Sequence, residues 1–218
     1  MSEPLAPLFR PFAHKSLQLR NRVAMAPMTR NFSPDQVPTE EVAGYYRRRA
    51  EGEVGLLITE GTTVNHPGAA GHNGVPAFHG EQALNGWRHV VEAVHGAGGA
   101  IIPQLWHVGG TRRPGVGATP DAPGYSPSGL FKPGKPNGLA MDASDINDVV
   151  QAFADAARAA KEIGFDGVEI HGAHGYLLDQ FFWEGTNQRS DGYAGSLEAR
   201  TRFGVEVVQA VRAAVGEE

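Results

Sequence analysis

The sequence predicts an α/β fold, in which buried strands and helices alternate along one chain of 218 residues. Two observations predict it. Short apolar runs bounded by glycine or proline recur four times, and each is followed by a segment with apolar residues at helical spacing. Strands that alternate with helices pair in parallel, with the helices covering the sheet. The 41% hydrophobic and 20% charged residues are typical of a globular protein, and we assign residues 1–218 to a single domain.

The first strand–helix unit follows an irregular segment at residues 5–19. Its strand covers residues 21–26 and ends at Pro27, because proline cannot donate to a sheet ladder. Thr39 is a suitable N-cap for the helix, which extends to about Ala50. The unit therefore leaves an open loop between its strand and its helix.

The second unit has a strand over residues 56–59, which we expect to end at the polar residues 60–62. Its helix ends at Gly96. Apolar residues recur along this helix at intervals of three and four, at Leu84, Trp87, Val91 and Val94.

The third strand, residues 100–105, is followed by a long stretch without apolar periodicity. This stretch, residues 107–141, is rich in glycine and proline and is too long for a simple barrel turn. We predict an inserted cap over the active-site face. A long helix then ends at Gly164, a fourth strand begins at Gly167, and Ser196 is the predicted N-cap of the last helix.

Four such units make half of a (βα)8 TIM barrel, whose complete form needs roughly 250 residues. We therefore expect the N-terminal half of a barrel, with an inserted cap after strand three. The first and fourth strands would carry unpaired edges. Such edges predict a homo-oligomer or pairing with a missing C-terminal half-barrel.

Composition excludes several classes of function. The net charge is −5, and no basic run with interleaved aromatic residues is present, so we expect no nucleic-acid partner. No cysteine is present, which excludes disulfides, thiolate metal sites and cysteine nucleophiles. No long apolar stretch predicts a signal peptide or a membrane span, so we expect a cytoplasmic protein without membrane partners.

The fourth strand leads into two imidazoles and a phenol within six residues. Strand alternation directs Glu169 and His171 to one side of the sheet, and His174 and Tyr176 follow in the loop. Catalytic groups gather at the C-terminal ends of barrel strands. These residues are suited to hold an oxygen atom and to supply a proton.

The residue types leave alternatives open. The two histidines could ligate a metal, with His107 or Asp179 completing the set, although we predict none. His171 could also be an ordinary hydrogen-bonded histidine, and Trp106 an ordinary core residue.

Five stretches in order resemble the old yellow enzyme family of FMN-dependent ene-reductases. They include the run H-G-A-H-G-Y-L-L-D-Q-F after strand four. The matching stretches are Asn21 to Arg30, Ile58 to Thr62, Pro103 to Gly109, Gly164 to Phe182, and Arg189 to Phe203.

The resemblance implies an FMN site at the ends of the strands. Thr29 would bond the O4 atom of the ring, and Gly61 would let the strand-two loop approach it. Gln104 would bond the pyrimidine edge, because its amide offers one donor group and one acceptor. The implied cofactor-binding residues are Pro27, Met28, Thr29, Gly61, Gln104 and His171.

The resemblance also implies the reaction. Hydride passes from NADPH or NADH through FMN to the activated C=C bond of an α,β-unsaturated carbonyl compound. His171 and His174 would bind the carbonyl oxygen, Tyr176 would donate the proton, and Trp106 would line the substrate pocket. The family's loops that hold the FMN phosphate have no counterpart in these residues. The alternative is a truncated, flavin-free and catalytically silent fragment that self-associates.

Overall fold

A computed structural model describes residues 3–217 and has a parallel sheet of four strands at its centre. The strands lie in the order β4-β3-β2-β1, so neighbours in sequence are neighbours in space. This is the half-barrel predicted from the sequence. Its strands are β1 (Ala24–Met25), β2 (Leu56–Thr63), β3 (Ala100–Trp106) and β4 (Glu169–Ile170).

Within residues 3–217, five α-helices pack around this sheet. α3 packs against α5, and α1 against α2, so that one continuous core forms between the helices and the sheet. Its largest buried side chains include Trp87, Tyr46, Phe153 and Phe203. The helices are α1 (Glu40–Glu51), α2 (Glu81–Gly96), α3 (Ala143–Ile163), α4 (Leu177–Phe182) and α5 (Leu197–Val215).

The helix ends agree with the predicted caps in position. Ser196 caps α5, and its side chain accepts a hydrogen bond from the Ala199 amide at 3.2 Å. Thr39 is at the N-cap of α1, but its side chain makes no capping hydrogen bond. Gly164 ends α3 with φ 95°, a left-handed conformation that suits glycine.

Two expectations about strands were wrong. Residues 5–19 are not irregular, because they include part of a 3₁₀ helix (Glu3–Phe9) and a hairpin that pairs Phe12–His14 with Leu17–Leu19. β2 also continues to Thr63 instead of ending before residues 60–62. Its register shifts between Ile58 and Gly61, and the hydroxyls of Thr59 and Thr62 bond the backbone of Gln104 across the shift. These side-chain hydrogen bonds let a polar segment stay in the sheet.

The predicted cap, residues 107–141, has short strands of its own. Tyr125–Ser126 pairs with Leu139–Ala140, and Leu130–Lys132 pairs with Lys135–Pro136. The Arg112 side chain is buried among them and donates to four backbone carbonyls, those of Ala70, Val116, Thr119 and Ala122. This one guanidinium therefore holds the cap to the loop after β2.

Among residues 3–217, no strand pairs with the outer edge of β1 or of β4. In the same part of the chain, no helix is long and apolar enough to cross a membrane. The cytoplasmic location stays a prediction.

Candidate active site

The C-terminal ends of the strands bring the predicted site residues to one edge of the sheet. In the sheet register, Gln104 of β3 lies opposite Gly61 of β2 on one side and Glu169 of β4 on the other. Trp106 lies two residues beyond Gln104 and opposite Thr63. The His171 amide donates to the Leu105 carbonyl at 2.9 Å, which extends the β3–β4 pairing to the first candidate histidine.

Four aromatic side chains form a cluster at this edge. The His171 ring stacks on the Trp106 ring, with centroids 6.1 Å apart and planes 24° apart. The Tyr176 ring lies edge-on to both, at 5.0 Å from His171 and 4.9 Å from Trp106. The His174 ring lies 5.2 Å from His171 and is exposed. The structure thus brings together two imidazoles and a phenol that the sequence places within six residues.

His171 is held in its neutral form. Burial, and to a smaller extent the nearby His174, lower its pKa to about 4, while Asp179 opposes the shift. The Ala173 amide lies 3.4 Å from Nδ1, so Nδ1 accepts a hydrogen bond and the proton of the neutral ring is on Nε2. A neutral imidazole with an Nε2–H group is a hydrogen-bond donor for a carbonyl oxygen.

Gln104 and Glu169 form a polar pair beside this cluster. Gln104 Nε2 lies 3.4 Å from Glu169 Oε2, and burial raises the pKa of the Glu169 carboxyl. Among residues 3–217, no donor bonds Gln104 Oε1. Strand alternation places Glu169 on the side of His171, but the sequence pattern indicates no role for it. A charged residue inside a short apolar strand is the sequence signal that could have identified Glu169 as a site residue.

The loop after β1 presents the other predicted cofactor contacts. Pro27 is half-buried, Met28 is 49% exposed and Thr29 is exposed, so all three can meet a ligand. The next residue, Arg30, bonds the fully buried carboxylate of Glu60 through its amide at 3.0 Å and its guanidinium at 2.8 Å. Glu60 is therefore an anchor for this loop, which sequence analysis had treated only as a strand end.

Packing within the protein itself requires a small residue at Gly61. A Cβ atom at this position would lie 2.6 Å from Cε3 of Trp106. The close approach of the indole thus excludes a side chain, whatever ligand binds nearby. The prediction that Gly61 admits a flavin ring stays a prediction.

The residues proposed as metal ligands do not form a cluster. His107 is buried, and its Nε2 lies 2.8 Å from Nδ1 of His66. Asp179 Oδ2 accepts the Gly175 amide at 2.7 Å. Among the described residues, no group of three or more His, Cys, Asp or Glu could hold a metal ion.

A cavity of about 740 Å³ lies beside the cluster, between the cap and α4. Aromatic residues of the cap and of the segment around α4 line this cavity. Among the predicted site residues, His174 is the one that contributes to the lining. The lining includes Phe131, Lys132, Phe182 and Trp183.

The polar groups at this edge fit a flavin ring. Gln104 offers a free amide oxygen, and Trp106 Nε1 is buried without a hydrogen-bond partner in residues 3–217. A flavin pyrimidine edge carries both donors and acceptors, which such groups can satisfy. The residues present therefore fit FMN along the ring.

Comparisons with known proteins agree with this geometry. The family model of the NADH:flavin oxidoreductase / NADH oxidase family, which is FMN-dependent, matches residues 7–218. The flavin oxidoreductase hxnT of Emericella nidulans is 41% identical over 99% of this chain and 58% of its own length. 12-Oxophytodienoate reductase 7 of Oryza sativa is 43% identical over 97% of this chain and 56% of its own.

Solved structures give the same result. Morphinone reductase in complex with tetrahydroNAD superposes with a TM-score of 0.89 at 40% identity, over 96% of this chain and 61% of that one. The old yellow enzyme homologue of Zymomonas mobilis gives 0.87 at 36% identity, over 96% and 60%. The chain thus spans less than two thirds of the length of these relatives. It belongs to the NADH:flavin oxidoreductase / NADH oxidase family, the old yellow enzymes.

Proposed function

We propose that this chain carries the substrate-binding and proton-donating side of an ene-reductase site, which reduces the C=C bond of α,β-unsaturated carbonyl compounds. The observation that carries the proposal is the cluster of His171, His174 and Tyr176 on the strand edge that also presents Gln104. The chemistry that bound FMN supplies is hydride transfer, first from NADH or NADPH and then to the β-carbon of the alkene.

His171 and His174 bind the carbonyl oxygen of the substrate. Negative charge builds on this oxygen as hydride arrives, and preorganised donors stabilise it. The low pKa of His171 keeps the ring neutral, and the Ala173 amide at Nδ1 leaves the Nε2–H group as the donor. Trp106 stacks on the His171 ring and keeps it in this orientation.

Tyr176 donates the proton to the α-carbon. Its ring lies edge-on to His171 at 5.0 Å, so the phenol and the oxygen-binding imidazole face the same substrate. The cavity beside His174 offers room for substituents on the carbonyl side of that substrate.

The loop after β1 and the β3 edge would hold the flavin ring. Gln104 would bond its pyrimidine edge and Thr29 its O4 atom, and Pro27, Met28 and Gly61 would pack against it. This assignment is supported by the exposure of the β1 loop and the free amide oxygen of Gln104. His171 contributes a further contact at the same edge.

The proposal is tested by titrating the purified chain with FMN and following flavin fluorescence. We expect saturable binding that Gln104→Leu weakens, because leucine offers neither donor nor acceptor. The matched control is Gln151→Leu at an exposed position of α3, which should bind as the wild type does. The absence of binding at millimolar FMN would favour the alternative, a flavin-free and silent fragment.

The reaction is tested with the FMN-loaded chain under anaerobic conditions. NADPH or NADH should bleach the flavin, and 2-cyclohexenone should restore its absorbance. Tyr176→Phe should slow only the second step, since only that step needs the phenol proton. Equal losses in both steps would give Tyr176 a structural role instead.

A further inference from the structure

The backbone of Gly175 is held on both sides by α4. Its N–H donates to Asp179 Oδ2 at 2.7 Å, and its carbonyl accepts from Gln180 Nε2 at 2.6 Å. Gly175 lies between His174 and Tyr176 in the chain. Its φ is 72° and that of His174 is 61°, so two successive residues have the left-handed conformation. A backbone that turns this sharply directs the neighbouring side chains only while it is held.

Gln180 also binds the loop that follows Trp106. Its Oε1 accepts from the Gly110 amide at 3.0 Å, and its Nε2 lies 3.4 Å from the Val108 carbonyl. The side chain is 1% exposed. A single buried amide therefore joins the loop after β3 to the loop after β4.

The packing around this amide is close. Gly109 has φ 64°, and a Cβ atom there would overlap Gln180 Oε1. The Leu177 amide donates to the His107 carbonyl at 3.1 Å, which is a second link between the same two loops.

We propose that Gln180, assisted by Asp179, is a positioning residue that sets His174 and Tyr176 against His171. The Gly110 amide requires an acceptor and the Gly175 carbonyl requires a donor, and the neutral side-chain amide of glutamine supplies both. Its loss leaves the buried Gly110 amide and the half-buried Gly175 carbonyl without these partners. The loop then shifts to hydrate them, which opens the site. The catalytic consequence of this placement rests on the proposed function, but the placement itself does not.

The test follows the imidazole signals of the chain by ¹⁵N NMR across a pH titration, without FMN or substrate. In Gln180→Leu, water reaches His171, and its pKa should rise from about 4 toward 6.5. The His174 imidazole signals and the Tyr176 backbone amide signal in the same ¹⁵N spectra should shift with it. Gln180 is the cleaner site for this measurement, because Asp179 carries a charge that itself acts on His171.

A conservative pair of variants tests the second contact. Asp179→Asn keeps an oxygen that can accept the Gly175 amide and should preserve the His174 and Tyr176 signals, whereas Asp179→Ala should shift them. The matched controls are Gln151→Leu and Asp155→Ala, which break an exposed hydrogen bond on α3 and should shift neither. If Gln180→Leu does not fold, Gln180→Glu decides: its carboxylate keeps an acceptor for the Gly110 amide but offers no donor to the Gly175 carbonyl, so the His174 and Tyr176 signals should still shift, and unchanged signals would overturn the proposal.

A folded Gln180→Leu chain with unchanged His171, His174 and Tyr176 signals would overturn the proposal. Equal shifts in Asp179→Asn and Asp179→Ala would also overturn the part that concerns Asp179. A chain that fails to reduce enones would count against the proposed function and leave these NMR results in place. The two hypotheses are therefore separable.

Discussion

At the residue scale, the site depends on how closely Trp106 approaches the backbone of β2. The indole lies against Gly61 on one side and stacks on His171 on another. A glycine at this position can be read from the sequence as a cofactor contact. The structure adds a packing requirement that holds with or without a ligand.

Gly61→Ala is therefore expected to destabilise the chain by about 1–3 kcal/mol, because the methyl group must displace a buried indole. Denaturant unfolding measures this change, and tryptophan fluorescence reports the displacement. The matched control is Gly96→Ala at the end of α2, where no atom lies within 4 Å of the added methyl. That variant should be neutral or more stable by up to about 1 kcal/mol. Wild-type stability of Gly61→Ala would refute the packing requirement.

At the element scale, the helices differ in how their first turns are satisfied. α3 begins with a capping box, in which Asp142 accepts from the Ser144 and Asp145 amides and Asp145 accepts from the Asp142 amide. α1 begins at Thr39, whose hydroxyl instead lies 3.3 Å from Glu41 Oε2. Asp142 and Thr39 both occupy N-cap positions, but only Asp142 stabilises its helix through capping hydrogen bonds.

Asp142→Ala should cost about 1 kcal/mol of unfolding free energy, and up to about 2, because orphan amides of α3 lose their acceptor. Thr39→Ala should cost less than about 0.5 kcal/mol, since no capping bond is lost. Chemical denaturation of the two variants checks the difference. Similar losses at both positions would mean that intrinsic preference, not the observed bonds, sets cap strength here.

At the scale of the whole molecule, buried histidines make stability depend on pH. Burial lowers the pKa of His66, His79, His107 and His171. Between pH 6.5 and about 4, the unfolded chain binds protons that the folded chain does not bind at His171. The contribution of neutral His171 to the free energy of unfolding is thus fully present above pH 6.5 and is lost as the pH falls toward 4.

His171→Gln should accordingly lose less stability than the wild type over that range. One proton accounts for at most about 1.4 kcal/mol per pH unit. Urea unfolding at several pH values measures the slope. The control is His89→Gln, at an exposed position of α2, which should follow the wild type. A slope unchanged by His171→Gln would show that His171 is solvated in the folded chain.

The sheet edges predict how the 218-residue chain behaves in solution. Within residues 3–217, the outer edges of β1 and β4 carry unpaired backbone groups, and half-buried Met25 lies on β1. Open edges of this kind pair with other chains. We expect light scattering to show self-association at micromolar concentration. Ala24→Lys on β1 should reduce it, and Ala13→Lys in the peripheral hairpin should not; a monomeric wild type would contradict this expectation.

Much of the fold and part of the site follow from local patterns. The order of strands and helices, the Ser196 cap and the glycine that ends α3 depend on neighbouring residues, so the sequence alone predicts them. The loop after β4 is predictable for the same reason, because His171, His174 and Tyr176 are close in the chain. Parallel strands end at one edge of the sheet, which explains why Gln104 lies beside them.

Only the tertiary structure decided the features that join distant segments. β2 extends to Thr63 because its threonine hydroxyls bond Gln104, more than 40 residues away. Glu60 anchors the β1 loop, and Gln180 joins the loops after β3 and β4. Each is a polar side chain whose partner is a backbone group far along the chain. Local periodicity carries no information about such partners. The two groups of each hydrogen bond come together only when the sheet has formed and its register and burial are set.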